Sequence, residues 1–192
     1  MDLNTARSLD DQAMTYYEQG RYEEAEPLFQ QALALREKEL GPTHLDTAAS
    51  LNNLAILYQD QGRYEEAEPL LKQVLAIFEK ALGPTHPNTA RILNNLAVLY
   101  QNLKRYEEAE LLLKRAIATY GTVLGAEHPN TAQSLGNLAL LYHIQGKHKE
   151  AEPLYQQALV ICEGVLGMTH PETVKIRRNY TRCYTNPLNM GQ

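Results

Sequence analysis

Three sequence blocks recur along this 192-residue chain at a common spacing of 42 residues. Copies of a YEEAEPL block begin at residues 22, 64, 106 and 148, with YEEAELL as the third copy and HKEAEPL as the fourth. Copies of LNNLA begin at 51 and 93, with LGNLA at 135, and a Gly-x-x-His block begins at 41, 83, 125 and 167. Three motifs that share one period indicate a tandem repeat, in which each copy folds into the same supersecondary unit.

Each repeat is predicted to contain two helices, A and B. Helix A of the second repeat carries Leu51, Leu54, Ala55 and Tyr58, an i, i+3, i+4, i+7 pattern that forms one apolar stripe. Helix B has a similar stripe and ends at a glycine, Gly83, for which we expect a left-handed αL cap. A single pair cannot bury both stripes, so neighbouring pairs must stack. The sequence therefore predicts an all-α fold, an α-solenoid of 42-residue helix-turn-helix repeats.

The predicted solenoid is one array over residues 1–184, followed by a tail at 185–192. Its helix pairs A1/B1, A2/B2, A3/B3 and A4/B4 cover about 4–40, 45–82, 87–124 and 129–166, and a capping helix A5 covers about 171–184. Alanine recurs at one position of every helix A and one of every helix B, where a small residue lets two helices approach closely. These alanines are Ala13, Ala55, Ala97 and Ala139 in helix A, and Ala25, Ala67, Ala109 and Ala151 in helix B.

Composition and charge exclude several classes of function. The net charge of −5 argues against a general nucleic-acid binder, although residues 173–192 hold four basic residues and no acidic one. No apolar stretch is long enough to span a bilayer, and the first residues do not form a secretory signal. The two cysteines, Cys162 and Cys183, form no CxxC pair and are read as reduced thiols. We expect a cytoplasmic protein with no membrane partner.

The histidines and acidic residues are predicted to be structural. His44, His86, His128 and His170 recur once per repeat at the start of helix A, where a capping role is expected. The EEAE runs lie in the first turn of helix B, where the helix dipole favours acidic side chains. His143 and His148 are five residues apart, with no cysteine or acidic residue to complete a metal set. We therefore expect no catalytic residues, no metal site, no cofactor and no enzymatic activity.

The 42-residue period, the LNNLA and YEEAEPL blocks and the LGPTHPNT linker together resemble the tetratricopeptide domain of kinesin light chains. The resemblance covers residues 1–184, and the near-identity of successive repeats is typical of a bacterial, cyanobacterial-like member. It implies a right-handed superhelix in which the A helices line a concave groove. Members of the family bind extended peptides of partner proteins in that groove.

A second face of each helix A supplies candidate groove residues. The resemblance implies that the asparagines of the LNNLA block line the groove, and that Arg91 matches a basic position of the family. An asparagine amide both donates and accepts hydrogen bonds, so it can pair with a peptide backbone. A purely structural role, with hydrogen bonds to the neighbouring helix, is the alternative. The candidates are Asn52, Asn53, Arg91, Asn94, Asn95, Asn137, Lys175, Arg178, Asn179 and Arg182.

Three of these candidates, Lys175, Arg178 and Arg182, lie on one face of helix A5. They are suited to an acidic segment or a C-terminal carboxylate of a partner, or else they are solubilising charge on a capping helix. The function predicted is that of a protein-interaction adaptor or scaffold with a protein or peptide partner and no nucleic-acid partner. A structural, self-associating array and the sensor segment of a larger signalling protein are the alternatives. We expect a monomer, with weak self-association left open.

Overall fold

The computed structural model describes residues 3–185, and for residues 184 and 185 it describes the backbone only. Every regular element within these residues is an α-helix, and the helices follow one another in pairs, which confirms the predicted all-α repeat fold. They are α1 (Leu3–Glu18), α2 (Tyr22–Leu40), α3 (Leu45–Asp60), α4 (Tyr64–Leu82), α5 (Pro87–Asn102), α6 (Tyr106–Val123), α7 (Pro129–Ile144), α8 (His148–Val165) and α9 (Pro171–Thr185). The predicted tail, except Thr185, lies outside the described residues.

The helices form two compact units, which divide between Pro84 and Thr85. In the first unit α1 packs against α2, α2 against α3, and α3 against α4. In the second unit each of α5 to α8 packs against the helix that follows it, and α7 also contacts both α5 and α9. The continuity of one array over residues 1–184 stays a prediction from the sequence.

The recurring alanines lie in the buried cores of the two units. All eight are completely buried, four in each unit. The larger buried side chains include Phe29 and Leu71 in the first unit and Leu113 and Tyr155 in the second. A larger residue at any of the alanine positions would overpack the contact and cost about 1–3 kcal/mol.

The recurring histidines cap the N-termini of the A helices, as the sequence predicts. His44, His86 and His128 each accept a hydrogen bond through Nδ1 from the backbone N–H two residues later, at 3.1 Å. His170 accepts in the same way from the N–H of Glu172, at 3.2 Å. Each imidazole thereby satisfies one of the amide groups that a first helical turn leaves without a partner.

The glycine that ends α4 differs from the prediction in its backbone conformation. Gly83 has φ 98° and ψ 159°, which is an extended region of positive φ rather than the predicted αL region. Its N–H still donates to the carbonyl oxygen of Glu79, at 3.0 Å. The prediction that a glycine ends this helix was therefore right, and the predicted αL conformation was wrong, because the chain leaves the helix in an extended direction. This region of backbone space is accessible essentially to glycine only.

Candidate peptide-binding face

The first asparagine of each LNNLA block is buried, which corrects its assignment to an open groove. Asn52 is 4% exposed and Asn94 is 5% exposed. In the second unit, Asn94 Nδ2 donates to Ser134 Oγ on α7 at 2.8 Å, so this side chain links two successive A helices. The structural role that the sequence left as an alternative therefore describes Asn94, and direct contact with a peptide is not supported for either residue.

The corresponding residue of the next repeat shows the same packing role. Gly136 on α7 is buried, and a Cβ atom built there would lie 3.2 Å from Ile176 Cγ1 on α9. A small residue at this position makes room for the isoleucine of the neighbouring helix A. Arg178, which has the equivalent position on α9, is exposed.

The second asparagine of each block is half-buried, and in the second unit it recurs on three A helices. These residues are Asn95 on α5, Asn137 on α7 and Asn179 on α9. Asn53 on α3 is half-buried in the same way in the first unit. Side chains at this level of exposure can contact solvent or a ligand while packing keeps their positions defined. We call the three residues of the second unit, Asn95, Asn137 and Asn179, the asparagine row.

The residues that flank the asparagine row differ in chemistry along it. Four residues before each asparagine, the chain has Arg91, Gln133 and Lys175, and three residues after it Val98, Leu140 and Arg182. None of these six side chains is fully buried. The asparagine is the same on all three helices, whereas the flanking residues differ. Such a surface can hold a peptide backbone at the amides and distinguish peptide side chains through the flanking residues.

A cavity opens beside one of these half-buried asparagines in each unit, at the same repeat positions. In the first unit a cavity of about 190 Å³ is lined by Met14, Tyr17, Phe29, Asn53 and Ile56. In the second a cavity of about 330 Å³ is lined by Leu140, His143, Ile144, Asn179 and Arg182. Each cavity combines apolar side chains with one amide, as expected of a pocket for a side chain.

The three basic candidates on α9 are all exposed. Lys175 Nζ lies 3.6 Å from Glu172, which offsets part of its charge, and Arg182 lines the larger cavity. A fourth basic residue, Arg177, has a different role, because it donates to Glu163 of α8 at 2.8 Å and to the carbonyl oxygen of Met168. Arg178 and Arg182 are therefore the residues of α9 best placed to receive an acidic group.

A cluster that the sequence analysis missed lies beside the larger cavity. Cys183 Sγ of α9 is 3.5 Å from His148 Nδ1, which in turn is 3.3 Å from His143 Nδ1. Cys183 follows His148 by 35 residues, so the sequence alone does not indicate that it lies near the two histidines. Folding α9 against α8 removes that separation, so the expectation that no cysteine completes this set was wrong.

The electrostatics of this cluster favour the neutral forms of His143 and Cys183. Burial, and then the charges of His148 and Arg182, lower the pKa of His143. Burial, and then the charge of Glu152, raises the pKa of the Cys183 thiol. Two imidazoles and one thiol together supply nitrogen and sulfur donor atoms.

Repeated helix pairs with a recurring amide on each helix A define an α-helical repeat protein. A comparison with family models gives the class more closely. The model described as tetratricopeptide repeat matches residues 4–80, 46–122, 120–163 and 131–185. These overlapping matches cover nearly the whole sequence, and the chain belongs to the tetratricopeptide repeat family.

Solved structures of kinesin light chain-like repeats are similar to this chain. The nearly identical TPR-like repeats of a proposed kinesin light chain from Podosopora anserina share 34% identity, with a TM-score of 0.76 over 93% of this chain and 84% of that one. A substituted form of the same repeats shares 32% identity, over the same shares of both chains, with a TM-score of 0.77. BtubC (BKLC) from P. vanneervenii, at 24% identity, supports the fold, with a TM-score of 0.78 over 98% of this chain and 81% of that one.

These similarities confirm the resemblance that the repeat motifs indicated. No curated protein matches the chain. Proteins with this fold are commonly scaffolds for protein–protein interaction and are typically non-enzymatic. Within the described residues, no helix is both long and apolar enough to cross a bilayer. The bacterial origin inferred from the near-identity of the repeats, and the cytoplasmic location, stay predictions.

Proposed function

We propose that this protein is an adaptor that binds an extended peptide segment of a partner protein on the exposed face of its A helices. The observation that carries the proposal is the asparagine row, in which one half-buried amide recurs on each of α5, α7 and α9. An extended peptide presents alternating N–H and C=O groups, and a carboxamide can pair with both. A series of amides can therefore hold a backbone with little dependence on its sequence.

Selectivity would come from the flanking side chains and the cavity. The cavity beside Asn179 offers Leu140 and Ile144 to an apolar side chain and Arg182 to an acidic one. Arg91 at the other end of the row is exposed and adds a second cationic contact. The partner expected is thus a peptide with an apolar anchor and an acidic neighbour.

The test is a selection of random peptides against three forms of the full chain. One is the wild type, the second carries Asn95→Ala, Asn137→Ala and Asn179→Ala, and the third is a control. Asn88→Ala is the matched control, because Asn88 is an exposed asparagine near the start of α5 whose backbone N–H, not its amide, makes the cap contact. Circular dichroism verifies that all three proteins are folded.

Peptides that bind the wild type and the Asn88→Ala protein, and lose at least tenfold in affinity for the triple variant, would support the proposal. Equal affinity for all three folded proteins would overturn it. Retention of binding together with concentration-dependent light scattering would instead favour the self-associating array.

A further inference from the structure

The imidazoles of His143 and His148 and the thiol of Cys183 meet at one point of the second unit. We call these three residues the His-His-Cys cluster. The last turn of α7 supplies His143, the first residue of α8 supplies His148, and the end of α9 supplies Cys183. One donor atom from each residue lies within 4.8 Å of the donor atoms of the other two. Both histidines are half-buried and the cysteine is buried, so packing restricts where these atoms can move.

Hydrogen bonds among the three residues cannot satisfy the contacts around His148 Nδ1. That atom has either one N–H or one lone pair, so it makes one good hydrogen bond in the plane of its ring. It nevertheless faces both His143 Nδ1 and Cys183 Sγ, at 3.3 and 3.5 Å. If Nδ1 carries the proton, it can donate that proton well to only one of the two neighbours, and if it carries the lone pair, the two neighbours compete to donate to it, so only one of the two contacts is a good hydrogen bond. A cation placed among the three atoms would satisfy all of them.

Comparison with the other repeats shows that the cluster arises from three coincident changes. The residue equivalent to His143 is glutamine in two other repeats, at 59 and 101. The residue equivalent to His148 is tyrosine in three other repeats, at 22, 64 and 106. The residue equivalent to Cys183 is leucine in three other repeats, at 57, 99 and 141. Each change replaces a residue that does not commonly ligate zinc with one that does. His143 and His148 are five residues apart, Cys183 follows His148 by 35 residues, and the three changed residues converge on one point.

We propose that the His-His-Cys cluster binds one Zn²⁺ ion. In tetrahedral zinc sites the Zn–N and Zn–S bonds are about 2.0–2.1 and 2.3 Å, which places two nitrogens about 3.3 Å apart and a nitrogen and a sulfur about 3.6 Å apart. The two distances from His148 Nδ1, 3.3 Å to His143 Nδ1 and 3.5 Å to Cys183 Sγ, are close to these values. The third distance, between the donor atoms of His143 and Cys183, is no more than 4.8 Å, and a small side-chain adjustment would bring it to the tetrahedral value.

The bound ion would be held by two imidazoles and one thiolate, with the thiol proton released on binding. Three protein ligands leave one tetrahedral position for water. His143 also lines the cavity beside Asn179, so solvent can reach the ligand set from that side. Since the ligands come from α7, α8 and α9, the ion would fix the last helix of the described chain to the pair before it.

The experiment uses the full chain, without a histidine tag and in reduced form. Calorimetric titration with Zn²⁺ should show one ion bound per chain, and Zn²⁺ should raise the midpoint of thermal unfolding because it binds the folded state. Co²⁺ serves as a spectroscopic probe, since a cobalt–thiolate bond gives a charge-transfer band. Tetrahedral coordination adds intense visible bands.

The variants use residues that the chain itself has at the same positions of its other repeats. His143→Gln, His148→Tyr and Cys183→Leu each replace one ligand by the residue that occupies the equivalent position in other repeats. Cys162→Ala is the matched control, because Cys162 is the other buried cysteine and lies outside the cluster. Loss of a residue that merely hydrogen-bonds a ligand weakens metal sites by about 10–100-fold, so loss of a ligand should weaken Zn²⁺ binding at least tenfold.

The proposal predicts that the Cys162→Ala protein keeps the Zn²⁺ affinity, the thermal shift and the cobalt–thiolate band. Cys183→Leu should remove the band, and each histidine variant should weaken binding while the protein remains folded. Absence of a Zn²⁺-dependent thermal shift in the wild type would overturn the proposal. So would wild-type affinity in all three ligand variants, because the ion would then bind elsewhere.

Discussion

The guanidinium carbon of Arg63 lies 4.0 Å from the centre of the Tyr58 ring, at the turn between α3 and α4. The backbone N–H of Arg63 also donates to the carbonyl oxygen of Tyr58, at 2.8 Å. Arg63 Nη1 and Tyr58 Oη both donate to the carboxylate of Glu26 on α2, at 2.6 and 3.1 Å. This cluster closes a turn and joins two successive repeats of the first unit.

Replacing Arg63 with alanine should destabilise the protein by about 1–2 kcal/mol, from the lost cation–π contact and the lost ion pair. Arg63→Lys should recover about half of this loss, because lysine keeps the charge but not the planar fork. Urea denaturation followed by circular dichroism measures both effects. Equal stability of the lysine variant and the wild type would show that charge, and not stacking, accounts for the contribution.

The fourth repeat has a weaker version of the same contact and so offers the reverse experiment. Lys147 Nζ lies 5.5 Å from the centre of the Tyr142 ring, whereas in the same unit Arg105 stacks 4.0 Å from the ring of Tyr100. Lys147→Arg should stabilise the protein by about 0.5–1 kcal/mol, because a guanidinium stacks better on an aromatic face. The gain should vanish in a Tyr142→Leu background, and its persistence there would assign it to another contact.

The sequence predicts the helices well because their order depends on local patterns. The apolar stripe of Leu51, Leu54, Ala55 and Tyr58 is read within one helix, and its four members are buried as expected. The capping histidines are equally local, since the acceptor and the donor are two residues apart.

The candidate site was harder to predict because its geometry depends on how successive helices pack. Asn94 and Asn95 are adjacent in the sequence, yet one is buried against Ser134 of the next helix A and the other is half-buried. A rotation of about 100° per residue separates the two faces, and the sequence does not say how wide the packed face is. The contact of Cys183 with His148 depends in the same way on the docking of α9.

The N-terminal cap of α5 provides a test of the capping histidines. His86→Ala removes the acceptor for the N–H of Asn88 and should destabilise the protein by about 1 kcal/mol. His86→Asn should retain most of the stability, because asparagine is among the best N-cap residues. The midpoints of urea unfolding compare the two variants. An asparagine variant as unstable as the alanine variant would show that the imidazole contributes through packing and not through the cap.

Two glycines should respond in opposite ways to the same substitution. A Cβ atom at Gly83 would meet no atom within 4 Å, so Gly83→Ala is opposed only by the backbone conformation, at φ 98° and ψ 159°. This strain should cost about 1–3 kcal/mol. Gly121 lies inside α6, also with open space around it, and Gly121→Ala should stabilise the protein by about 0.5–1 kcal/mol. Thermal unfolding of both variants measures the contrast, and a loss at Gly121 would contradict the backbone argument.

The basic residues of α9 should determine whether the proposed peptide face prefers acidic ligands. Arg178→Glu together with Arg182→Glu reverses two exposed charges, one of them in the wall of the cavity beside Asn179. Peptides from the selection that contain aspartate or glutamate should lose about three- to tenfold in affinity, as expected for two solvent-screened charge contacts. Peptides in which those acids are replaced by amides should be nearly unaffected. Added salt should reduce the difference between the two peptide sets, because it screens exposed charges.

The control for this charge reversal is the pair Lys38→Glu and Lys80→Glu, which changes the net charge equally at exposed residues of the B helices α2 and α4. If the control weakens acidic peptides as much as the α9 variant does, the effect comes from the overall charge of the protein and not from a contact with α9. If neither variant changes the affinity, Arg178 and Arg182 serve as solubilising charge, and the selectivity of the face must come from other residues, such as Leu140 and Ile144 in the cavity. A loss confined to the α9 variant would locate the acidic part of the ligand next to Asn179.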